Sequence, residues 1–466
     1  MSKRMRQAEH DQNLVRITAI ATKSIVREGP DAVLAAVRAR DIARGLSRAQ
    51  RAEILLRAAA MVRQNADLLA RVITTESGKT IRQANKEVVR CANTLTLSAE
   101  EAKRFVGEII PFDSYPGLED RQGHYTREPL GIVLAITPFN DPLNLVAHKV
   151  GPAIAAGNVV ILKPAAETPT PALLLVQFLL ESGLPEGMVT VVTGGGDVGA
   201  ALVARPEVAM VSFTGGHVTG SAIAEVAGLK PMSMDLGGNA PVIILHDADL
   251  ARAVPDCVSG AFWAAGQNCI GVQRIFCHDS VFASFKDAFL AQAAMLKVGD
   301  PFDPATDMGP MVSEAAAQRI EAWVEDAIAN GATCLIGHRR KGAFYAPTVL
   351  TNVPATSRVR CEEVFAPVVI IEPWNDLDAV LSAANAPDFA LHGAVFGRDI
   401  DLLHRVISGL DTGGVMVNDS SDFRFDGMPF GGAKRGAIGR EGVRFAMEQM
   451  SRTKVVCFRV RTNDRS

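Results

Sequence analysis

Apolar residues recur at roughly every 3.6 positions along residues 30–73, a pattern that predicts α-helix. Within that stretch, Ser47 followed by Gln50 indicates a capping box, in which two side chains satisfy free N–H groups at a helix start. A second helix is predicted over 80–106. Residues 107–129 then hold a Pro-Gly turn between extended segments, which is typical of a hairpin-like excursion.

The pattern changes at Leu130, after which short apolar runs alternate with helical stretches. Strands are predicted at 132–136, 159–162, 189–192, 210–213, 241–245 and 368–371. Alternation of continuous apolar strands with helices predicts an α/β fold with a doubly wound, Rossmann-type parallel sheet. Such sheets bind nucleotides at the carboxyl ends of their strands, so polar residues there are the first candidates for function.

Composition narrows the class of protein. The 466 residues are 48% hydrophobic and 21% charged, with a net charge of -3, so no basic surface points to nucleic acid. No apolar run reaches the roughly 18 residues of a membrane span, and the polar N-terminus lacks the apolar segment of a signal peptide. The seven cysteines are irregularly spaced without a CxxC pair, which favours a reducing cytoplasm and predicts no metal site.

One cysteine stands in a setting that suits chemistry. Cys269 lies between Gly266 and Gly271, after an apolar run, among small and amide residues. A thiolate is a strong nucleophile near neutral pH, and flanking glycines let a substrate approach closely. The alternative for this residue is a half-buried structural cysteine.

Other candidates follow predicted strands. Asn140 comes after the strand 132–136, where its amide could stabilise an oxyanion; the alternative is a turn asparagine. Asp141 follows it and is expected to cap the next helix. Gly215 and Gly220 bracket a turn that opens a helix, whose N-terminus could hold a pyrophosphate.

Seven motifs occur in a set order along nearly the whole chain. They are TPFN (137–140), KPAAETP (163–169), FTGG (213–216), MDLGGNAP (234–241), GQNC (266–269), EEVFAP (362–367) and MPFGGAKRGAIGREG (428–442). Together they make the chain resemble the aldehyde dehydrogenase superfamily. The order and spacing of the motifs make this resemblance far more specific than any one of them.

The resemblance implies a division of the chain into three parts. They are a cofactor-binding domain (1–106 and 130–234), a catalytic domain (235–430, with 431–452 packing back on the cofactor domain) and a small β oligomerisation element (107–129 and 453–466). Residues 453–460 alternate like an edge strand, which could pair with the 107–129 excursion or with another subunit. A homodimer or homotetramer is the expected assembly.

The resemblance also implies roles for individual residues. Cys269 would attack the aldehyde, Asn140 and the Cys269 N–H would hold the oxyanion, and Asp235 would activate water, with Lys149 in a proton relay. The cofactor would be NAD or NADP. The residues that the resemblance places at the cofactor are Thr137, Pro138, Phe139, Lys163, Ala166, Glu167, Phe213, Thr214, Gly215, Gly216, Leu236, Glu363 and Phe365.

The chain departs from the family pattern at three positions. Asp235 stands where the usual base is a glutamate; it is one methylene shorter, and its alternative role is a capping aspartate. Ala166 stands where NAD-preferring members carry a glutamate, with Glu167 shifted by one, which predicts that NADP is tolerated. Ala366 replaces a usual glycine.

The substrate is predicted from charged residues. His148, Arg424 and Arg104 are expected to face one small cavity, where they would suit a phosphonate, phosphate, sulfonate or carboxylate on the aldehyde. This set resembles the branch of phosphonoacetaldehyde, glyceraldehyde-3-phosphate and lactaldehyde dehydrogenases. Asn268 stands where some phosphonate-using relatives have an arginine. Each of the three could instead be an exposed, ion-paired side chain.

The sequence therefore predicts oxidation of a small, acid-bearing aldehyde, such as a phosphonoacetaldehyde- or phosphonoformaldehyde-type substrate, to its carboxylic acid. Lactaldehyde, glyceraldehyde-3-phosphate and succinate-semialdehyde dehydrogenases are alternatives. A coenzyme A-acylating enzyme is another, supported only by the shortened side chain of Asp235. A non-enzymatic scaffold is a third, which the presence of Cys269 and Asn140 disfavours.

Overall fold

The computed structural model describes residues 25–460. The polar start expected before residue 25 lies outside this range, as do residues 461–466 of the predicted oligomerisation element. Helices and strands alternate through most of the described chain and form three main sheets.

The N-terminal part is helical, as predicted, and residues 30–73 are divided among three helices. These are Gly29–Gly45, Arg48–Gln64 and Ala66–Ser77. The capping box predicted at Ser47 and Gln50 is confirmed, and it starts the second of them. The long helix Ile81–Arg104 confirms the prediction for 80–106 and begins with its own capping box at Thr80.

A six-stranded sheet follows. Its spatial order is Ala437–Ile438, Met232–Asp235, Met210–Thr214, Ile132–Ile136, Val159–Lys163 and Val189–Val191. All pairs are parallel except the first, which is antiparallel. The helices of this part are Asn144–Ala156, Thr170–Glu181, Gly196–Val203 and His217–Ala227. Parallel strands bring their carboxyl ends to one edge, so the residues after them become neighbours.

A seven-stranded sheet is formed by strands from the second half of the chain. Its order is Thr333–Ile336, Thr348–Thr351, Val368–Trp374, Val272–His278, Ala240–Ile244, His392–Phe396 and Gly414–Val417. Only the first pair is antiparallel. The helices here are Leu250–Phe262, Asp279–Ala294, Glu314–Ala329, Arg358–Cys361, Leu377–Ala384 and Ile400–Gly409. The two parallel sheets confirm the predicted α/β fold class.

The C-terminal helix Val443–Gln449 returns to the first half of the molecule. Val443, Ala446 and Met447 belong to the hydrophobic core around the six-stranded sheet, whereas a separate core fills the seven-stranded part. This return carries residues 431–442 across the space between the two sheets. The domain boundaries themselves stay a prediction.

The third sheet contains Glu108–Ile109, Arg121–Pro129 and Ser451–Arg459, all antiparallel. The C-terminal strand thus pairs with the 107–129 excursion, one of the two partners that the sequence left open. It lies at the edge of this sheet and exposes Val455 and Phe458. Within residues 25–460, no helix is both long and apolar enough to cross a membrane.

Candidate active site

Cys269 lies in the loop between the helix Leu250–Phe262 and the strand Val272–His278, and its residue is partly exposed. It lines a cavity of about 350 Å³ together with Asn140, Asn268 and a set of charged side chains. The cavity lies where residues from both large sheets meet. Cys269 is therefore accessible to a small molecule.

The backbone before Cys269 turns sharply. Ala264, Ala265 and Gly266 all have positive φ angles, of 50°, 56° and 69°. Positive φ is uncommon for alanine, so two consecutive cases mark a constrained loop. A Cβ at Gly266 would lie 2.1 Å from the carbonyl oxygen of Ala366, so only glycine fits there. The loop is held tightly and presents the thiol in a fixed position.

The environment of the Cys269 thiol favours its protonated form. Burial raises its pKa, the nearby Glu363 carboxylate raises it further, and Arg424 opposes both. Burial also raises the pKa of Glu363 to about 7, although this carboxylate accepts a 2.9 Å hydrogen bond from the Gly238 N–H. The thiol therefore needs a proton acceptor before it attacks, and Glu363 and Asp235 are two of the carboxyls whose charges act on it.

Asn140 reaches the cavity from the other sheet. It lies four residues beyond the strand Ile132–Ile136, and the neighbouring Phe139 ring meets the Phe365 ring edge-on at 5.7 Å between centroids. Within the described chain, the Asn140 amide forms no side-chain hydrogen bond. It is thus free to donate to an oxyanion formed beside Cys269.

Asp235 ends the strand Met232–Asp235 and is buried. Its Oδ2 has no hydrogen-bond partner among residues 25–460. Burial raises its pKa well above the usual range, and the charge of Glu441 adds to this. A carboxyl with a raised pKa is better matched to proton transfer near neutral pH than an ordinary aspartate.

Behind Asp235 lies a buried chain of charges. Lys149 Nζ donates to Glu441 Oε1 at 2.8 Å and to Ser212 Oγ at 3.1 Å. Arg424 Nη2 donates to the other oxygen of Glu441 at 3.0 Å. Burial alone would raise the pKa of Glu441, but Lys149 and Arg424 outweigh it and hold the pKa well below its usual range. The sequence reasoning missed Glu441, although the quoted 428–442 motif contains it.

The prediction that His148 faces the substrate is wrong. The helix Asn144–Ala156 is buried throughout, and His148 does not line the cavity. Its Nε2 lies 2.9 Å from Asp426 Oδ1 and 3.5 Å from Arg424 Nη2. Burial and the Arg424 charge lower its pKa, which favours the neutral ring. His148 therefore supports the loop that carries Arg424.

The prediction for Arg104 is also wrong. Its side chain is 64% exposed and pairs with Glu101 at 2.6 Å, away from the cavity lining. Another arginine of the same helix, Arg90, lines the cavity instead. Arg90 donates to Asp426 at 2.8 Å and to Asp141 at 3.1 Å.

Asp141 does not cap the following helix as expected. Its carboxylate binds Arg90 and the buried ammonium of Lys79, which also donates to Glu87 at 2.8 Å. Burial raises the pKa of Asp141, but the two cations outweigh it and hold the pKa low. These ionised pairs form one wall of the cavity, and Arg424 and Asn268 line it from the other half of the molecule. Their contact with the substrate stays a prediction.

A second group of predicted residues meets at the carboxyl edge of the six-stranded sheet. Lys163 is buried and forms no ion pair with any residue in the described range. The Oγ1 atoms of Thr137 and Thr168 are buried there without a partner among residues 25–460. Gly216 is the N-cap of the helix His217–Ala227, which has no side-chain cap. Unpaired donors and an open helix N-terminus fit the ribose and pyrophosphate of a dinucleotide.

The remaining cofactor candidates divide into two sets. Phe213 and Thr214 end a buried strand, and Leu236 packs against Gly220. Ala166 and Glu167 are exposed after Lys163.

Among residues 25–460, no group of three or more His, Cys, Asp or Glu side chains is placed to hold a metal ion. The assignment of Pro138, Gly215 and the others to cofactor contacts stays a prediction.

Comparison with known proteins places this geometry in a family. The profile of the Aldehyde dehydrogenase family matches residues 9–456. Aspartate-semialdehyde dehydrogenase 1 of Pseudomonas canavaninivorans is 56% identical, over 89% of this chain and 88% of that protein. The 3-sulfolactaldehyde dehydrogenase of Priestia megaterium is 42% identical, over 87% of this chain and 86% of that protein.

Solved structures agree with the sequences. The glyceraldehyde-3-phosphate dehydrogenase GapN of Methanocaldococcus jannaschii, complexed with NADP, superposes with a TM-score of 0.89. It is 38% identical, over 92% of this chain and 94% of that chain. The match spans both large sheets and the cavity between them. The chain therefore belongs to the aldehyde dehydrogenase family, and it is an NAD(P)-dependent enzyme that oxidises aldehydes.

Proposed function

We propose that this enzyme oxidises a short aldehyde that carries an acid group, and that the product is the corresponding carboxylic acid. The observation that carries the proposal is the set of basic side chains that line the cavity around Cys269, Lys86, Arg90 and Arg424, of which Lys86 forms no ion pair within residues 25–460. Cations that line a small cavity attract an anionic substrate and orient it by charge-assisted hydrogen bonds.

The relatives support an acid-bearing substrate. Aspartate semialdehyde carries a carboxylate and 3-sulfolactaldehyde a sulfonate, as their enzymes' names state, and glyceraldehyde 3-phosphate carries a phosphate. We favour a carboxylate because the named substrate of the 56% identical relative has one. A phosphonate, as in phosphonoacetaldehyde, is the second choice, since Asn268 lacks the charge of an arginine at that place.

The first half of the reaction builds a covalent bond at Cys269. Its thiol gives its proton to a neighbouring carboxylate, Glu363 or Asp235, the sulfur attacks the carbonyl carbon, and the carbonyl electron pair moves to oxygen. The amide of Asn140 and the N–H of Cys269 donate to that oxyanion. When bound, the nicotinamide cofactor supplies the hydride acceptor. Loss of hydride from the thiohemiacetal carbon leaves a thioester on Cys269.

The second half releases the acid. A water molecule attacks the thioester carbon while a carboxylate accepts its proton, the C–S bond breaks, and the sulfur leaves as a thiolate. We assign this proton to Asp235, whose charge acts on Cys269 and whose contact with Glu441 gives the proton a path toward Lys149. Asp235 is one methylene shorter than the glutamate usual at this place, and its rigid, buried position compensates for the shorter reach.

A panel of aldehydes tests the proposal. Succinate semialdehyde and the neutral butanal differ chiefly by a carboxylate, so their kcat/KM values are compared with NAD and with NADP. We expect the acid to be favoured by at least about tenfold, the value of one charge-assisted hydrogen bond. Equal kcat/KM for the two aldehydes would remove the basis of the proposal.

One observation favours a second function, the transfer of the acyl group to coenzyme A. Burial and Glu441 keep Asp235 protonated to a higher pH than usual, so a smaller fraction of the enzyme carries the carboxylate that accepts a proton from water. Adding coenzyme A and measuring acyl-CoA against free acid separates the two functions. Free acid as the main product at saturating coenzyme A supports hydrolysis.

We also propose that the enzyme works as a homodimer or homotetramer in the cytoplasm. The edge strand Ser451–Arg459 exposes Val455 and Phe458, which is an apolar surface suited to another subunit. Sedimentation of the purified protein, with Phe458→Lys as the weakened variant, tests the assembly.

A further inference from the structure

The charges that line the Cys269 cavity do not all find partners. The lining includes four basic side chains, Lys79, Lys86, Arg90 and Arg424, and three carboxylates, Glu87, Asp141 and Asp422. Lys79 and Arg90 pair with Glu87 and Asp141, and Arg424 pairs with Glu441 behind it. Within residues 25–460, Lys86 and Asp422 form no ion pair. One cation and one carboxylate of the cavity are thus left for something else.

These two groups come from different parts of the chain. Lys86 projects from the long helix Ile81–Arg104, and its Nζ lies over the Trp263 ring at 4.6 Å from the centroid. Asp422 belongs to the loop that follows the strand Gly414–Val417. The unpaired cation of the cavity therefore comes from the helix and the unpaired carboxylate from the loop.

The loop holds Asp422 in place from both sides. Ser421 Oγ donates a 2.8 Å hydrogen bond to the carbonyl oxygen of Ile270, next to the nucleophile, and the carbonyl oxygen of Ser421 contacts His392 Nδ1 at 3.0 Å. Arg424 is tied to Glu441 on the other side. The position of Asp422 is thus fixed relative to Cys269 before a substrate arrives, which reduces the cost of binding.

The surroundings of Asp422 disfavour the charge of its carboxylate. Burial raises its pKa, a hydrogen bond with Ser420 opposes this, and the charges of Asp419 and Asp256 add to the effect of burial. A buried carboxylate near other carboxylates is stabilised by a cation, and Asp422 forms no ion pair within residues 25–460. A positively charged group on the ligand would relieve this.

We propose that Asp422 binds an ammonium group and Lys86 an acid group of the same substrate, so that the substrate class is an amino-acid semialdehyde with free α-amino and α-carboxylate groups. The proposal rests on the proposed oxidation of acid-bearing aldehydes. It assigns Asp422 as the residue that distinguishes amino-acid semialdehydes from acid aldehydes without the amino group. A site built for a charged group discriminates strongly against an analogue that lacks it, because the buried charge then stays unpaired.

Aspartate semialdehyde and succinate semialdehyde make a matched pair for the test, since they differ only in the α-amino group. The ratio of their kcat/KM values is measured for the wild type, Asp422→Asn and Lys86→Met. We expect the wild type to favour aspartate semialdehyde by about 10- to 100-fold. Asp422→Asn should collapse this ratio toward one, whereas Lys86→Met should lower kcat/KM for both acids and keep the ratio.

Asp388→Asn is the control, because Asp388 is exposed and lies outside the lining of the Cys269 cavity, so it should leave the ratio as in the wild type. A wild-type ratio near one, or an Asp422→Asn ratio equal to that of the wild type, overturns the inference. If neither acid aldehyde is oxidised faster than butanal, the proposed function fails as well. If succinate semialdehyde is oxidised well but the ratio is near one, the role of Asp422 is wrong and the proposed oxidation of acid-bearing aldehydes stands.

Discussion

The guanidinium of Arg424 donates a 3.0 Å hydrogen bond to the carboxylate of Glu441, whose other oxygen accepts from Lys149. Arg424 lines the cavity, so this contact joins the place where the substrate binds to the buried charges behind Asp235. The role expected for Arg424 from sequence was direct binding of the substrate's acid group. Its pairing with Glu441 indicates that it also sets the charge state of the catalytic carboxyls.

Arg424→Met should therefore reduce turnover of acidic and neutral aldehydes alike. Without this cation, the pKa of Glu441 rises and the field that acts on Asp235 and Cys269 changes. We expect kcat to fall by about tenfold or more for both succinate semialdehyde and butanal. The exposed Arg435→Met is the control. A rise in KM confined to the acidic aldehyde would show that Arg424 only binds substrate.

Asp235→Asn should separate the two halves of the reaction. The amide cannot accept a proton from water, so hydride transfer proceeds once and the thioester is then hydrolysed only slowly. We expect a burst of reduced cofactor of about one equivalent per subunit, followed by a steady rate lower by about 100-fold or more. A rapid-mixing absorbance trace measures both phases. A variant with the wild-type steady rate would exclude Asp235 as the base.

The pH dependence follows from the raised pKa of Asp235. Release of the acid needs the deprotonated carboxylate, so the steady rate should fall as the pH drops through that raised pKa. The acid limb should thus lie above the pH where an ordinary aspartate titrates. A pH profile of kcat gives the limb, and its shift or loss in Asp235→Asn identifies the group. A wild-type limb near pH 4 would contradict this.

Asp426→Asn should destabilise the fold. Asp426 accepts hydrogen bonds from Arg90 and Asn144 and lies 2.9 Å from His148, so its loss leaves buried groups unpaired. We expect the free energy of unfolding to fall by about 2–4 kcal/mol. Chemical denaturation measures it, and Asp378→Asn, an exposed carboxylate, should change it by less than about 0.5 kcal/mol.

Asp426 also gives stability a pH dependence of known sign. Burial raises its pKa, but His148 and Arg90 outweigh burial and depress the folded-state pKa. A depressed carboxyl pKa stabilises the fold above the unfolded value of about 4, and the contribution is lost as the pH falls below it. Below that pH, the free energy of unfolding should therefore change less with pH in Asp426→Asn than in the wild type. Parallel curves would show that Asp426 is not ionised in the fold.

Glu167→Gln should move cofactor use toward NADP. Glu167 is exposed near Lys163, and its charge acts on that ammonium. Removing the negative charge should raise the kcat/KM ratio of NADP to NAD several-fold, by about 3- to 10-fold for one screened charge. The exposed Glu181→Gln is the control. An unchanged ratio would place the 2′-phosphate away from residue 167.

Local patterns predicted the helices, the buried strands and the position of Cys269, because periodicity and glycine placement are properties of a few neighbouring residues. They did not distinguish Arg90 from Arg104. These residues are about four turns apart on one helix, so they share a face but lie about 21 Å apart along it. Which of them meets the cavity depends on how the helix packs against the rest of the chain.

Asp141 and Asp422 show the same limit. A cap was the best local explanation for Asp141, but Lys79 and Arg90, which bind it, lie far away in sequence. No sequence pattern around Asp422 points to a role. It stands out only in the folded chain, where other charged side chains of the cavity form ion pairs and Asp422 does not. The charge balance of a cavity is a property of the folded chain, and it cannot be read from spacing.

The central claim is that Cys269 bonds covalently to the substrate, and mass spectrometry of acid-quenched enzyme tests it most directly. The enzyme is mixed with cofactor and succinate semialdehyde, quenched and digested. We predict that the peptide with Cys269 gains the mass of the aldehyde less two hydrogens, one lost as hydride from the aldehyde carbon and one as the thiol proton. Cys269→Ser should show neither this adduct nor turnover. An adduct on another residue, or turnover by Cys269→Ser, would contradict the account.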